Sequence, residues 1–383
     1  MKLRKVLRSK VIAIFMTAAT TLSAGVAVAA PGSALASGLA KLTGPDGVIG
    51  AIGMARKGND AEYARSGFGD YFAKAPPDPH AKFRIGSNTK AFVSVVLLQL
   101  EAERKLSLND TVDKWLPGVV AKNGNDGTKI TLRQLLNHTS GLPDYLAGQF
   151  AQGYSANLNP NEPYVPRHLV NAALANKPTA APGTAWHYSN TNYVLAGMVI
   201  QAATGNPPAV EVAHRIITPL GLSDTTFPTS DPTLPAPRLN GYFHVHGSTS
   251  PVRDVTSSNV QTTGSAGAMV STVDDLADFE RALFAGKLLP PAQQEELETT
   301  VPMGHDPAAG RYGLGVGQTQ TPCGPVWTHT GAVLGYESTW LSSPDGERQV
   351  VVADNEYSLT LNPAVTEDLF AQPVAAYCAL PKT

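Results

Sequence analysis

The sequence predicts an α+β fold: an antiparallel β-sheet flanked by terminal helices, with an inserted, mainly helical subdomain. Three observations carry this expectation. Short alternating strands occur near both ends of the chain, helical and loop-rich segments fill the middle, and one helix there has no polar face. Strands joined by hairpin turns pair antiparallel, and their apolar faces need helices to cover them. The expected boundaries are a leader over 1–36 and one domain over 37–383. Within the domain, the sheet part spans about 37–90 and 265–383, and the helical part about 91–264.

The leader reads as a secretory signal peptide. Lys2, Arg4, Lys5, Arg8 and Lys10 form a basic start, and "VIAIFMTAATTLSAGVAVA" follows as the apolar region. "AVA" at 27–29 and "ALA" at 34–36 both fit a small-residue cleavage site. Thr, Ser and Gly dilute the run, which argues against a membrane anchor, and no later stretch is long and apolar enough to span a bilayer. A secreted protein is expected.

"GVIGAIGMARKG" (47–58) and "EYARSGFGDYF" (62–72) read as strands around the turn "KGND", and "AKFRIG" as a short strand. A helix should run from Ser87 to about Leu106. Phe92, Val93, Val95, Val96, Leu97, Leu98 and Leu100 leave it no polar side, so it should be buried nearly all round. "LNDTVDKWLP" and "ITLRQLLNHTSGL" have helical spacing, the second capped by Thr131. The polar stretch 143–167 reads as a long surface loop. "TNYVLAGMVIQAATG" (191–205) is an apolar helix ended by Gly205, and "DDLADFERALFAG" (274–286) is another. "RYGLGVG", "PVWTHTG", "GYESTWLSS" and "RQVVVADN" alternate as antiparallel strands, with "PDGE" as a hairpin turn. A last helix runs from about Pro363 to Tyr377.

Composition bounds the function. Apolar residues make up 43% and charged residues 16% of the 383, enough to bury a large core. The 35 glycines and 30 prolines are scattered, as in turns and loops. Without the leader the chain has 24 Lys+Arg against 31 Asp+Glu, a net charge of −7, which argues against nucleic acid or an anionic membrane as partner. The two cysteines, Cys323 and Cys378, both follow the leader. An oxidising compartment favours pairing them, with two buried free thiols as the alternative.

The chemistry starts at Ser87 and Lys90. Three residues apart on a helix, they share a face. Serine is a weak nucleophile until a base takes its proton. A desolvated lysine amine, its pKa lowered from about 10.4 toward neutrality, can be that base. The alternative makes Ser87 a helix N-cap and lets Lys90 reach out to water. "HYSNTN" adds Tyr188 and Asn190, a hydroxyl that can relay protons and an amide that can hold a carbonyl. "WTHTGAVLGY" adds His329, Thr330 and Gly331 near a predicted strand.

In this order the three stretches resemble the penicillin-recognising serine hydrolases, which carry Ser-x-x-Lys, Tyr-x-Asn and Lys- or His-Thr-Gly. The likeness is nearest to secreted actinomycete D-alanyl-D-alanine carboxypeptidases, with class C β-lactamases and related esterases further off. "LLNHTSGL", "SAGAMVST" and the placing of the cysteines extend it over nearly the whole mature chain. The resemblance implies a β-lactamase/transpeptidase-like fold. It also implies Ser87 as the acylated nucleophile, with Lys90 and Tyr188 exchanging its proton. Asn190, His329, Thr330, Gly331 and Ala332 would contact substrate, and the oxyanion hole would be the N–H groups of Ser87 and Ala332. No metal or organic cofactor is implied, and a monomer acting on a small-molecule or peptide substrate is expected.

The pattern departs from the carboxypeptidases in three places. Gly317 stands where they carry a carboxylate-binding arginine, six residues before Cys323, and Ala332 stands where they have a threonine. An aromatic residue expected before "SAGA" is replaced near Thr262; Arg311 or Arg253 could substitute for the arginine. The expected activities are therefore, in order, a peptidase on D-amino-acid peptides that β-lactams acylate, an esterase or amidase, and a β-lactamase. Gly-x-Ser-x-Gly and His-Glu-x-x-His are absent, which disfavours α/β-hydrolase and zinc-hydrolase chemistry. "HVH" at 244–246 reads as a solvated loop. A non-enzymatic binding protein on this fold is the remaining alternative, and acylation of Ser87 discriminates the two.

Overall fold

The computed structural model describes residues 27–28, 32–147, 160–245, 250–306, 309–357 and 363–381. The principal helices are α1 (Ala34–Leu42), α2 (Thr89–Ala102), α3 (Leu132–Leu136), α4 (Pro166–Ala173), α5 (Asn190–Thr204), α6 (Val273–Phe284) and α7 (Pro363–Ala379). The principal strands are β1 (Gly50–Lys57), β2 (Asp60–Gly67), β3 (Gly317–Thr321), β4 (Gly324–Val333), β5 (Tyr336–Ser342) and β6 (Arg348–Asp354).

These six strands run in the order β2-β1-β6-β5-β4-β3, every neighbouring pair antiparallel. The two ends of the chain meet where β1 pairs with β6, from Arg348↔Lys57 to Asp354↔Ala51. Short strands extend both edges: Ala27–Val28 lies parallel beside β2, and Arg311–Tyr312 then Val301–Pro302 follow β3.

The two-residue period of a strand sorts β6 between two cores. Val350 and Val352 join Leu35, Leu39, Ala376 and Tyr377 under α1 and α7. Val351 and Ala353 join Phe92, Phe279 and Trp340 on the opposite face. That second core contains most of α2 and α5, so the sheet and helical parts share one interior. Phe92 and Phe279 stack there with centroids 3.7 Å apart. Each such side chain contributes about 1.5–3 kcal/mol by leaving water.

Several boundaries differ from the sequence expectation, each for a local reason. α2 begins at Thr89, after a tight 3₁₀ turn over Gly86–Asn88, and ends at Ala102, where Arg104 soon takes φ +58°. The helix in "ITLRQLLNHTSGL" stops at Leu136 because His138 adopts φ +60°; its start is a capping box between Thr131 and Gln134. "RYGLGVG" is two strands, bent where Gly313 N–H donates to the carbonyl of Val316. The part expected to be helical also contributes Tyr242–Phe243 and Arg253–Asp254 to a small sheet with Glu356–Tyr357.

Folded structure also begins earlier than residue 37. Ser33 caps α1 by accepting the N–H of Ala36, and Leu35 is buried against the sheet. The small-residue sequence at 34–36 therefore lies inside α1, and only the one at 27–29 precedes it. Among the described residues no helix is long and apolar enough to cross a membrane. Part of the long loop (148–159) and His246 fall outside the described residues.

Cys323 and Cys378 form a disulfide with Cα atoms 5.5 Å apart, tying α7 to the β3–β4 turn across 55 residues. Closing a loop of that length restricts the unfolded chain by up to about 4 kcal/mol. Replacing both cysteines by serine should lower the unfolding free energy by about 2–4 kcal/mol, read as a lower urea midpoint with a somewhat steeper slope, because the unfolded chain without the bridge exposes more surface.

Candidate active site

The backbone ahead of α2 is held on two sides. Phe83 and Arg84 pair with Ser271 and Val270, and the Ile85 N–H donates to the carbonyl of Met269. The N–H of Met269 in turn donates to Thr89 Oγ1 at 3.2 Å. This clip brings the turn Gly264–Ala266 against the first turn of α2. On the other side lies β4. Gly86, at φ +51°, leaves a space where a Cβ would meet the Ala332 nitrogen at 2.8 Å, and a Cβ on Gly331 would meet the Ile85 oxygen at 2.1 Å. Only glycine fits at these two points. Asn88 Nδ2 donates to Ser338 Oγ at 2.9 Å, fixing the same turn to β5. The 3₁₀ turn carrying Ser87 is thus seated beside Ala332.

Lys90 does not reach water: it is fully buried. Its Nζ lies 2.9 Å from Ser87 Oγ, 2.8 Å from Asn190 Oδ1 and 2.7 Å from the carbonyl of Ala266. Ser87 makes no capping bond to α2 and is partly exposed. Tyr188 O–H donates to Ser87 Oγ at 2.7 Å. Asn190 Nδ2 donates to Asp144 Oδ2 at 2.9 Å, leaving one N–H of that amide over.

Burial lowers the Lys90 pKa to about 7, against the opposing pull of Asp144. Burial pushes the Tyr188 phenol well above its usual range, and Asp144 adds to this, so it stays protonated. A neutral amine has two N–H groups and one lone pair. Asn190 Oδ1 and the Ala266 carbonyl can only accept, so they take both N–H groups. The lone pair is then left for the Ser87 hydroxyl. This is the arrangement of a general base and a nucleophile, with a phenol on the far side of the same oxygen.

His329 is buried. A carbonyl only accepts, so Nδ1–H donates to Thr330 O (2.6 Å), and Tyr312 O–H donates to Nε2 (2.7 Å). Burial and then Lys90 hold its pKa at about 3, so it carries no charge. Thr330 and Ala332 are exposed on the next positions of β4. The register of β3 on β4 runs only to Gly317↔Thr328, stopping one residue short of His329.

A cavity of about 320 Å³ opens at this point, lined by Trp186, Tyr188, Met303, Tyr312, His329 and Phe370, together with Gly317 and Thr330. No Lys or Arg lines it. Arg311 is turned to Thr300, with 2.7 Å bonds to its hydroxyl and carbonyl oxygens, and Arg253 lies over Phe243 in the small sheet. Neither replaces the arginine missing at Gly317. At Thr262 the carbonyl accepts the Tyr145 hydroxyl at 2.7 Å.

The structure brings Ser87, Lys90, Tyr188 and Asn190, all singled out in the sequence, within hydrogen-bond distance of one another. Sequence reading missed Asp144 and the Ala266 carbonyl. Asp144 lies in "GLPDY", 46 residues before its partner, at the start of the stretch read as a polar surface loop. The carbonyl belongs to the backbone and leaves no side-chain signal.

Comparison with known proteins agrees with this fold. Residues 35–361 match the Beta-lactamase family. The chain is 29% identical to penicillin-binding protein 4* of Bacillus subtilis over 340 residues, 84% of this chain and 72% of the relative. It superposes on a D-stereospecific amidohydrolase from Streptomyces sp. with TM-score 0.79 at 38% identity, covering 88% of this chain and 98% of the other. A D-amino acid amidase from Ochrobactrum anthropi SV3, complexed with L-phenylalanine amide, gives 0.76 at 25% identity over 90% and 97% of the two chains. With the matching fold over most of its length and a serine held between a buried lysine and a phenol, this chain belongs to the Beta-lactamase family and is a serine-type hydrolase.

Proposed function

We propose that this chain is an exported acyl-transferring hydrolase of D-aminoacyl amides and esters, with Ser87 as nucleophile. The observation that carries the mechanism is the coordination of Lys90, whose lone pair is directed at Ser87 when the amine is neutral. Lys90 takes the Ser87 proton as Oγ attacks the substrate carbonyl. The N–H groups of Ser87 and Ala332 hold the oxyanion, and the spare N–H of Asn190 binds the acyl-side carbonyl. Tyr188 passes a proton to the leaving nitrogen or oxygen as the C–N or C–O bond breaks, and Lys90 replaces that proton. Water then attacks the acyl-Ser87 ester by the same proton path reversed, releasing the acid and free Ser87.

The cavity favours amides and esters over peptides with a free terminal carboxylate. A carboxylate wants a cation or bidentate arginine, and burying one without a partner is costly. Here the lining offers aromatic rings, a thioether, a neutral imidazole and the uncharged Gln318, Thr319, Thr328 and Thr330, but no cation. The D-stereospecific amidohydrolase and the D-amino acid amidase support the D-aminoacyl side of the reading. The basic-then-apolar leader supports export. A D-alanyl-D-alanine carboxypeptidase activity is the second reading, favoured by the likeness to penicillin-binding protein 4*.

Three outcomes are expected. Ser87→Ala should abolish hydrolysis and leave no acyl adduct by intact mass, while Lys90→Ala should slow acylation by about 100-fold or more. Wild-type adduct or rate in either variant sinks the mechanism. Because Lys90 must be neutral to accept a proton, the acylation rate should rise with pH through about 7 and then level off. Asp144 raises that pKa, so Asp144→Asn should move the rising limb to lower pH in stopped-flow traces. Finally, kcat/KM for a D-phenylalanine amide should exceed that for a matching dipeptide with a free C-terminal carboxylate by about 10-fold or more, the loss expected when a charge is buried unpaired. The reverse order would return the enzyme to the carboxypeptidases.

A further inference from the structure

His138 is costly as it stands. It is a fully buried, non-glycine residue at φ +60°, and its Nε2 is enclosed with no hydrogen-bond partner among the described residues. A strained backbone and an orphan polar atom persist only where the surroundings hold them in place. The surroundings here are the residues on either side of Tyr188. The His138 carbonyl accepts the His187 N–H at 2.9 Å, and its ring Nδ1 accepts the Ser189 N–H at 3.2 Å. Nδ1 also receives Asn192 Nδ2 at 3.1 Å, and Asn192 Oδ1 accepts the Ser140 hydroxyl at 2.6 Å, which fixes the amide's direction. The imidazole therefore carries its proton on Nε2, and the ring packs on Tyr188 with centroids 4.3 Å apart.

We propose that His138 is a positioning residue: it clamps the backbone before and after Tyr188 and supports the phenol ring, setting the height of the Tyr188 hydroxyl over Ser87. This rests on the proton-transfer role proposed for Tyr188. The left-handed backbone is part of the device. It turns carbonyl and ring toward the same three-residue stretch, one on each side of Tyr188, which a helical or extended residue at 138 would not do. A clamp of this kind adds nothing to substrate contact; it keeps a 2.7 Å hydrogen bond in register.

The test is a double-mutant cycle read with a D-phenylalanine 4-nitrophenyl ester, all variants checked for folding by near-ultraviolet circular dichroism. His138→Gly accepts the left-handed backbone but removes the ring and its acceptor. It should lower kcat by about 10–100-fold with KM within about three-fold of wild type, as expected for a lost supporting contact. His138→Asn tolerates the same backbone and returns an acceptor near the Nδ1 position, so it should recover most of the lost kcat. In a Tyr188→Phe background, His138→Gly should cost less than about two-fold more, because the two act as one unit. Should the glycine variant not fold, His138→Ala takes its place in the cycle, since a single methyl at this left-handed position costs only about 1–2 kcal/mol. Additive losses, or a His138→Gly enzyme with wild-type kcat, overturn the proposal. Full activity of Tyr188→Phe alone overturns the role of Tyr188 and the clamp with it, and that single variant reports this before any His138 variant is read.

Discussion

The structure is organised around an amine kept out of water. An ammonium as deeply buried as Lys90 is disfavoured, and the shift of its pKa from about 10.4 to about 7 corresponds to roughly 5 kcal/mol taken from the charged form. What makes the site workable is that the neutral amine is fully satisfied. Its two hydrogens find a side-chain and a backbone acceptor, and its lone pair finds the serine. The apolar character of α2 serves this end. A helix with a polar side would have let water in beside Lys90. The clip between Phe83–Arg84 and Val270–Ser271 serves it too, because it delivers the Ala266 carbonyl.

Chemistry and selection come from different parts of the chain. The proposed proton path is built from α2 and the turn before it, the start of α5 with Tyr188 just ahead of it, and the loop after α3. The walls of the cavity come mostly from β3, β4, Tyr312 and α7. His329 stands at the seam and is uncharged, because Lys90 and the apolar surroundings both oppose an imidazolium. Burial thus suppresses charge twice here, on the amine and on the histidine across from it. No Lys, Arg, Asp or Glu lines the cavity next to it, so the selectivity we propose rests on rings, uncharged polar groups and shape.

The strand pattern, the buried helix and the spacing of Ser87, Lys90, Tyr188 and His329 were readable in the sequence because each is a short-range signal. Alternation marks a strand within one hairpin, and three residues mark one helix face. What could not be read depends on long-range approach. Asp144 matters only through groups that the fold brings to it, Asn190 at 2.9 Å and the Lys90 amine, and Ala266 only through its carbonyl. His138 reads as a helix residue until its φ of +60° is seen. The start of α1 at Ala34 was hidden for a different reason: small apolar residues suit a cleavage site and a helix equally.

The disulfide joins two walls of the cavity. Cys378 anchors the helix that supplies Phe370, and Cys323 sits in the turn between the strands that supply Gly317 and Thr330. Ser87, Lys90 and Tyr188 lie on other segments, and the turn that carries Ser87 meets β4 at Ala332, the end of the strand away from Cys323. Thiol reduction should thus loosen the spacing of these two walls before it reaches the serine and the lysine. Two substrates assayed on one sample, before and after a mild reductant, would separate the tool that cuts from the gauge that chooses.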